Sequence, residues 1–417
     1  MRLVVCALGG EVDPWKLPAS ELGSRSWIHG GERSLYELAV AAAAAGHQVE
    51  LRGEISEPDL RELGEAAGAM PAVGFEPRRP ATEEVIVVPE GWTDPLQYAR
   101  IAFSPARAIL LVLAAPGLEG WPFAGAWSKP DPLTVPLDSV GRPEHYRAMA
   151  ALGLELWTNS PRIADEARTA GVDCLLIGRG IPVPFPDPPP KRYDVVTVQD
   201  NRWAPLADRV VAALEGATHH SIPRVGHDRM LQELGAGRIL AWPSRIEGQS
   251  RVQLEARAMG TVPVALSSNR YAVGLDEESG SVLVDSLEEM PAAIGKLLHD
   301  PTRLSDLAQR AALTARDQVD WDAYVERVDA GLRRPRPSHP AHPAMGEIGR
   351  ALQAAADREA SRLRGELEEV RDRLAWSERE FEAFRRRRSV RVATRLAGLA
   401  RSVFRVTKRR AKRGRET

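Results

Sequence analysis

Two glutamates, Glu247 and Glu255, are the residues whose type and spacing first indicate chemistry. Seven residues separate them in the segment AWPSRIEGQSRVQLEARAMGTVPVAL, residues 241–266. The apolar run before Glu247 predicts a strand, and Glu255 lies inside the helix predicted to follow it. A carboxylate in a cleft is costly unless donors hydrogen-bond to it. A hydroxyl-rich ligand would supply those donors; the alternative is that both glutamates are surface charges.

The start of this predicted helix offers a second feature. The backbone N–H groups of Gly248, Gln249, Ser250 and Arg251 lie near its N-terminus, where unpaired donors and the positive end of the helix dipole favour a phosphate. Gly260 is expected to end the helix as a C′ glycine. The segment thus offers donors for a diphosphate, one carboxylate for ribose hydroxyls and another for a sugar ring, which is the combination that a nucleotide sugar requires.

The elements that position these residues alternate between strands and helices along most of the chain. Such alternation is typical of parallel sheets covered by helices on both faces. A proline-dense segment at 182–190, PVPFPDPPP, divides the pattern. We therefore expect an α/β fold with two Rossmann-like, doubly wound domains, 1–185 and 186–334, facing a cleft. Strands are predicted near residues 2–8, 48–52, 84–88, 108–114, 154–158, 194–199, 218–222, 238–242, 262–266 and 281–284.

Composition agrees with two globular domains plus appendages. The chain has 417 residues, of which 43% are hydrophobic and 27% charged. Cys6 and Cys174 form no metal or redox pattern, which fits a reducing compartment. The apolar opening is too short for a secretory signal, and no apolar run approaches the roughly 18 residues that span a bilayer. We therefore expect a cytoplasmic protein.

The segment from Pro243 to Leu266, together with residues 279–311, resembles the donor half of retaining GT-B glycosyltransferases of the family-4 type, which carry a PS..E-x7-E..A.G.PV signature. The resemblance implies that Glu247 bonds the donor sugar and that Glu255 holds the ribose. It extends to WIHGGERSLYELAVAAAAAGHQVEL at 27–51, similar to the family's glycine-rich loop and first helix, and to residues 158–185. The backbone of Gly30 and Gly31 would approach a phosphate or acceptor closely there. The alternative is that the two glycines only permit the turn that leads into the helix.

The sequence departs from this family in two places. The family has an arginine and a lysine after the first strand of its second domain, whereas VVTVQDNRWAPLADR at 195–209 offers Arg202 and no lysine, with Arg209 as a substitute. A histidine common in the first domain of relatives has no match in ILLVLAAPGLEGW at 109–121. With only about 40 residues between Asn201 and Pro243, one strand and helix of the family's second sheet are expected to be missing.

These features predict a glycosyltransferase, specifically a hexosyltransferase, that moves a sugar from a nucleotide-sugar donor to a glycan or lipid-linked acceptor. The expected catalytic residues are Glu247 and Arg202, with a helix N-terminus and arginines stabilising the leaving diphosphate. The resemblance implies a metal-independent reaction without a cofactor. The alternative is a catalytically degenerate GT-B module that binds a sugar nucleotide, or nothing, and serves as an assembly protein.

The C-terminal residues predict a helical extension. After a proline-rich linker at 335–346, residues 347–388 predict a coiled coil through which two copies would pair. The alternative is one amphipathic helix docked on the globular part. The seam is formed by Ala356, Ala360, Leu363, Leu367, Val370, Leu374, Ser377, Phe381 and Phe384.

The tail at 389–417 predicts a basic amphipathic helix. From Arg385 to Thr417 there are 14 Lys and Arg against one acid, although the whole chain carries a formal charge of −1. Its apolar face suits an anionic membrane surface, so we expect peripheral binding to the inner face of the cell membrane. Nucleic acid is the competing partner but is less favoured, because only Phe404 could stack a base. A merely solvated tail is a third alternative.

Overall fold

The computed structural model describes residues 1–6, 30–53, 55–74, 81–89, 101–102, 104–113, 143–199, 203–244, 250–269, 274–335, 370–371, 373 and 395–398; for residues 30–32, 144–145 and 148 this covers the backbone alone. Residues 1–352 form one compact unit and residues 353–417 a second. All elements described below belong to the first unit.

A seven-stranded sheet carries the N-terminal part of the chain. Every neighbouring pair of strands is parallel, in the order β3-β2-β1-β4-β5-β6-β7. The strands are β1 (Arg2–Cys6), β2 (Gln48–Arg52), β3 (Ala72–Val73), β4 (Glu84–Pro89), β5 (Arg107–Val112), β6 (Glu155–Thr158) and β7 (Cys174–Leu176). The helices along this part are α1 (Gly30–Ala44), α2 (Glu57–Ala67), α3 (Pro143–Ala151) and α4 (Pro161–Thr169).

A five-stranded parallel sheet follows, in the order β12-β11-β10-β8-β9. Its strands are β8 (Tyr193–Val198), β9 (His219–Ile222), β10 (Gly237–Trp242), β11 (Val262–Leu266) and β12 (Val282–Val284). The helices here are α5 (Ala204–Ala212), α6 (His227–Gly235), α7 (Arg251–Ala258), α8 (Met290–His299), α9 (Pro301–Asp317) and α10 (Trp321–Arg333).

The central strands are apolar and buried on both faces. All six residues of β4, EVIVVP, and all five of β11, VPVAL, are buried. Parallel strands covered on both sides need such continuous apolar runs, because each face packs against helices. The fold class predicted from the sequence, α/β with two doubly wound sheets, is confirmed.

The ten predicted strands all occur, with ends that differ by at most two residues. Two edge strands of the first sheet, β3 and β7, were not predicted. They contain two and three residues, which is too short to show a periodic pattern. Among the described residues, the second sheet has the five strands expected from its short sequence and no more.

Residues 177–192, which include the proline-dense segment, contain no regular element and connect the two sheets. After the second sheet, the chain returns to the first one. Helix α10 lies in the range predicted for the second domain, yet Tyr324, Val328 and Leu332 pack in the apolar core formed by α1 and the first sheet. We therefore call residues 1–176 with α10 the N-terminal lobe, and residues 193–317 the C-terminal lobe. The predicted domain limits stay predictions.

Except for Pro335 at its start, the predicted linker lies outside the described residues, as do the predicted coiled coil and basic tail apart from residues 370–371, 373 and 395–398. These seven residues are helical and exposed. No helix among the described residues combines the length and the apolar content that crossing a membrane requires.

Candidate functional site

The strand order locates the region where a ligand is expected. In the C-terminal lobe the chain moves from β8 outward to β9 and then crosses to β10 on the other side of β8. Ligands of doubly wound sheets bind beyond the carboxyl ends of the strands, close to such a reversal. The loops that follow β8, β9 and β10 therefore border the candidate site. Arg202, which follows β8 in the sequence, and Glu247, Gly248 and Gln249, which follow β10, lie outside the described residues.

Helix α7 begins and ends as the sequence predicts. Ser250 is the N-cap, and its side chain accepts a hydrogen bond from the backbone N–H of Gln253 at 3.4 Å. At the other end Gly260 has a φ of 66°, and its N–H donates to the carbonyl of Arg257 at 2.8 Å. This closure fixes the register of the helix, so that Arg251 and Glu255 lie one turn apart on the same face.

Glu255 is a buried carboxylate held by two cations. Its Oε1 lies 2.9 Å from Nε2 of His227 and 2.8 Å from Nε of Arg251, and the side chain is 3% exposed. Burial alone would raise the pKa of Glu255, but His227 and Arg251 more than offset that effect and lower it to about 2. Both contacts go to Oε1, the one with His227 as a hydrogen bond and the one with Arg251 as an ion pair, whereas no hydrogen bond from the described residues reaches Oε2. One oxygen is anchored and the other is left for a ligand.

His227, the first residue of α6, is a site residue that the sequence analysis missed. Its ring nitrogens contact two carboxylates, Glu255 through Nε2 and Glu62 of α2 through Nδ1, the latter at 3.3 Å. Burial opposes the charged form, but the two carboxylates raise the pKa of His227 above its ordinary value. A histidine at a helix start beside a turn glycine, Gly226, was the available signal, and only the fold brings Glu62 to it.

The N-terminal lobe supplies the opposite wall through α1 and α2. Arg33 of α1 donates to Asp59 at 3.1 Å and to Glu62 at 2.6 Å. Glu37, one turn further along α1, accepts from Nη1 of Arg251 at 2.7 Å. Gly30 and Gly31 open the same helix. The predicted glycine pair therefore lies at the start of the helix whose next turns bring Arg33 and Glu37 to the C-terminal lobe.

Arg179 adds a further buried cation to this region. It follows β7, is 4% exposed and donates to the hydroxyl of Ser34 at 3.1 Å. Burial and the neighbouring Arg251 lower the pKa of Arg179 to about 10, against the opposing effect of Glu37 and Glu255. The two lobes thus meet through charged side chains rather than through an apolar contact at this point.

A cavity of about 470 Å³ opens beside this cluster, between the two lobes. Arg33, Asp59 and Glu62 line it from the N-terminal lobe, and His227, Arg251 and Glu255 from the C-terminal lobe. The remaining lining is formed by Pro58, Val225, Gly226, Asp228, Arg229, Met230 and Val252. The site therefore combines charged groups at its base with an apolar wall of valine and methionine, which suits a ligand with a flat ring and hydroxyl groups.

Two residues predicted to bind the donor have other environments. Arg251 reaches the site, but its guanidinium is engaged by Glu37 and Glu255, so its backbone N–H rather than its side chain is available to a phosphate. Arg209 lies in the last turn of α5, exposed and 3.7 Å from Glu288. It does not line the cavity, and the structure does not bring it to Glu255.

Three side chains that line the cavity, Glu62, His227 and Asp228, bring oxygen and nitrogen atoms within 4.8 Å of one another. Two of the three are already in ion pairs: Glu62 with Arg33, and His227 with Glu255. We assign no metal site to them, and metal independence stays a prediction.

Comparison with known proteins identifies the fold. No protein-family model matches the chain, and no curated protein does either. Among solved structures, a sucrose-phosphate synthase from Thermosynechococcus elongatus is similar with a TM-score of 0.53 and 13% identity, over 80% of this chain and 98% of that one. The fold is GT-B.

Two further GT-B structures agree. Anabaena HepE in complex with UDP-glucose has a TM-score of 0.54 and 13% identity, over 80% of this chain and 99% of HepE. WaaG, a glycosyltransferase involved in lipopolysaccharide biosynthesis, has a TM-score of 0.50 and 13% identity, over 79% of this chain and 99% of WaaG. The similarity to these GT-B proteins shows the architecture, while the site of this chain has to be argued from its own residues.

Proposed function

We propose that this protein is a glycosyltransferase that moves a sugar from a nucleotide-sugar donor to a hydroxyl-bearing acceptor. One observation carries the proposal: the buried Glu255 carboxylate at a cavity between two Rossmann-like lobes has one oxygen anchored by His227 and Arg251 and the other without a hydrogen bond from the described residues. A carboxylate oxygen in that position is an acceptor for the hydroxyl groups of a ribose.

The remaining parts of a nucleotide sugar can be assigned to neighbouring groups. With the ribose on Glu255, the base would lie against Val225, Met230 and Val252 in the cavity. The diphosphate would lie at the N-terminus of α7, where the first backbone N–H groups and the helix dipole favour an anion. Glu247, which follows β10 in the sequence, would then bond the sugar.

In this proposal catalysis depends on stabilising charge as the diphosphate leaves. The helix N-terminus of α7 and Arg202 would serve that purpose, and the acceptor hydroxyl would attack the sugar directly. No protein nucleophile is required. The resemblance to family-4 enzymes favours transfer of a hexose with retention, without a metal ion.

The comparisons support a nucleotide-sugar donor without naming it for this chain. HepE was crystallised with UDP-glucose, with UDP, and with UDP and glucose. A glycan or a lipid-linked molecule is our proposed acceptor. We also propose a cytoplasmic protein that reaches anionic membranes through its basic tail and pairs with a second copy through the coiled coil.

Calorimetric titration tests the function directly. UDP, GDP and ADP, and then UDP-glucose, GDP-mannose and ADP-glucose, are each added to the full chain. We expect the protein to bind compounds of one base selectively, both the nucleoside diphosphate and the nucleotide sugar. When an acceptor is supplied, the sugar of the bound nucleotide should be transferred to it. Binding of none of the six compounds would reject the function. Binding with neither hydrolysis nor transfer would favour the degenerate, sugar-nucleotide-binding module instead.

A further inference from the structure

His227 contacts a carboxylate through each of its ring nitrogens. Nε2 faces Glu255 at 2.9 Å within the C-terminal lobe, and Nδ1 faces Glu62 of the N-terminal lobe at 3.3 Å. A carboxylate that is ionised can only accept, so each nitrogen has to donate. A neutral imidazole carries one N–H, whereas the imidazolium carries two. The geometry therefore fits the charged form of His227.

The other charged groups around the ring come from four helices. Arg33 of α1 binds Glu62, Asp59 of α2 binds Arg33, Arg251 of α7 contacts Glu255, and Asp228 follows His227 in α6. Glu255 and Glu62, which contact the ring directly, favour its charged form, and Arg33 disfavours it. The carboxylates outweigh both Arg33 and burial.

We propose that the His227 imidazolium is a positioning residue: it links Glu62 of the N-terminal lobe to Glu255 of the C-terminal lobe and holds Glu255 with its second oxygen directed to the ribose of the nucleotide. This role rests on the proposed function, since the ribose is the ligand that Glu255 would bind.

The proposal has a consequence for pH. When the imidazolium loses a proton, only one ring nitrogen can donate, so either the link between the lobes or the anchor on Glu255 is lost. Both losses disfavour the conformation that binds nucleotide. Affinity is therefore expected to fall as the pH rises through the pKa of His227, by about tenfold, the size of effect that one charge-assisted hydrogen bond produces.

The nucleotide experiment uses UDP-glucose, GDP-mannose and ADP-glucose, because each phosphate of a nucleotide sugar has one ester and one anhydride bond and no group that titrates near neutral pH. Affinity is measured by calorimetry between pH 5.5 and 8.5, with EDTA present to exclude an ion at Glu62, His227 and Asp228.

His227→Gln, whose amide donates without titrating, should bind at every pH as weakly as the wild type does at high pH. Glu62→Gln should reduce the pH dependence. His220→Gln, a matched histidine that contacts Glu233 at 3.1 Å outside the cavity, should retain the wild-type profile.

A second measurement needs no nucleotide. The imidazole pKa of His227, followed by NMR, should lie above the ordinary value of 6.5 in the wild type and fall in both Glu62→Gln and Glu255→Gln. If neither substitution changed the pKa of His227, the proposed link from Glu62 through His227 to Glu255 would be overturned. If the wild type binds nucleotide sugar and His227→Gln binds it with the same pH profile, the positioning role would be overturned, while the proposed function would stay in place. Failure of all three nucleotide sugars to bind the wild type would instead reject the function and, with it, the positioning role.

Discussion

Arg251 of α7 donates to Glu37 of α1 across the two lobes, with Nη1 of Arg251 at 2.7 Å from Oε1 of Glu37. The side chains are 7% and 1% exposed. Removing one partner of such a pair takes compensation from a charge that stays buried, which is far more costly than losing an exposed ion pair. The contact between the lobes at this point therefore depends on charge matching.

Glu37→Gln is expected to destabilise the protein by about 3–5 kcal/mol, because the Arg251 guanidinium loses its closest anion while buried. Denaturation in urea, followed by tryptophan fluorescence, measures the change. Asp165→Asn is the control, since Asp165 pairs with Arg168 at 2.6 Å but the two side chains are 59% and 74% exposed. That change should stay within about 0.5 kcal/mol. Similar losses for the two variants would contradict the account.

Glu255→Gln is expected to act on binding and stability together. The amide is a weaker acceptor than the carboxylate, so nucleotide affinity should fall by about 1.5–3 kcal/mol. Because His227 and Arg251 would also lose their shared anion, the melting temperature should fall. Glu233→Gln on α6 is the control: Glu233 contacts Arg229 and His220 and does not line the cavity. Calorimetry that shows equal affinity for wild type and Glu255→Gln would exclude the ribose role.

The contact between the lobes should be most stable in mildly acidic solution. Glu62 and Glu255 have pKa values of about 2 in the folded protein, below the ordinary 4.5, so their contribution is present above pH 4.5 and is lost as the pH falls towards 2. The folded pKa of His227 is raised above 6.5, so its contribution is complete below pH 6.5 and is lost as the pH rises through the folded value.

Urea titrations at pH 3, 5.5 and 8.5 check this dependence. The wild type should be most stable at pH 5.5. In His227→Gln the decrease between pH 5.5 and 8.5 should become smaller, while the decrease towards pH 3 should persist. An undiminished alkaline decrease in this variant would assign the effect to other groups.

The sequence predicted the fold well because parallel sheets leave strong local signals. The strand β11, VPVAL, is an unbroken apolar run, and Gly260 before it has the positive φ that ends a helix. Both features are properties of neighbouring residues. The edge strands β3 and β7 and the return of α10 to the N-terminal lobe escaped prediction because they depend on contacts between distant parts of the chain.

The site was less predictable for the same reason. Glu255 follows from its spacing within one helix, and the structure places it at the cavity. His227 and Glu62, by contrast, are 165 residues apart in sequence and meet only across the lobes. Arg251 was expected to bind phosphate through its backbone N–H, and nothing near it in sequence indicates that its side chain pairs with Glu37, which is 214 residues away. Pairing partners at such separations have no periodic signature.

Gly280 and Gly216 both have a left-handed backbone conformation, and replacing each by alanine separates the cost of steric overlap from the cost of backbone strain. Gly280 has a φ of +78°, and a Cβ there would overlap the backbone of Leu307 and Ala311 in α9. Gly216 has a φ of +72°, and a Cβ there would meet no described atom within 4 Å. Gly216→Ala should therefore cost about 1–2 kcal/mol from backbone strain alone. Gly280→Ala should cost about 1–3 kcal/mol more, because α9 has to shift. Equal decreases in melting temperature for the two variants would show that α9 shifts without an energetic cost.

The basic tail at 389–417 gives the last prediction, which follows from its composition. Each basic residue near an anionic surface contributes about 1 kcal/mol, within a Debye length of roughly 8–10 Å. The tail should therefore hold the protein on vesicles that contain phosphatidylserine. Because its valines and leucines also bury apolar surface, high salt should weaken this binding only in part. Removing residues 389–417 should release the protein from the vesicles without changing its affinity for nucleotide, since the described residues that line the cavity all lie between 33 and 255.

Co-sedimentation of the full chain and the truncated chain at low and high salt measures the effect, with phosphatidylcholine vesicles as the uncharged control. A second control substitutes aspartate for Val392, Leu396 and Leu399, which keeps every basic residue. This variant should bind anionic vesicles weakly and lose that binding entirely at high salt, because only the electrostatic contribution remains. A full chain that does not bind anionic vesicles but shifts RNA on a gel would show that the basic residues of the tail bind nucleic acid instead.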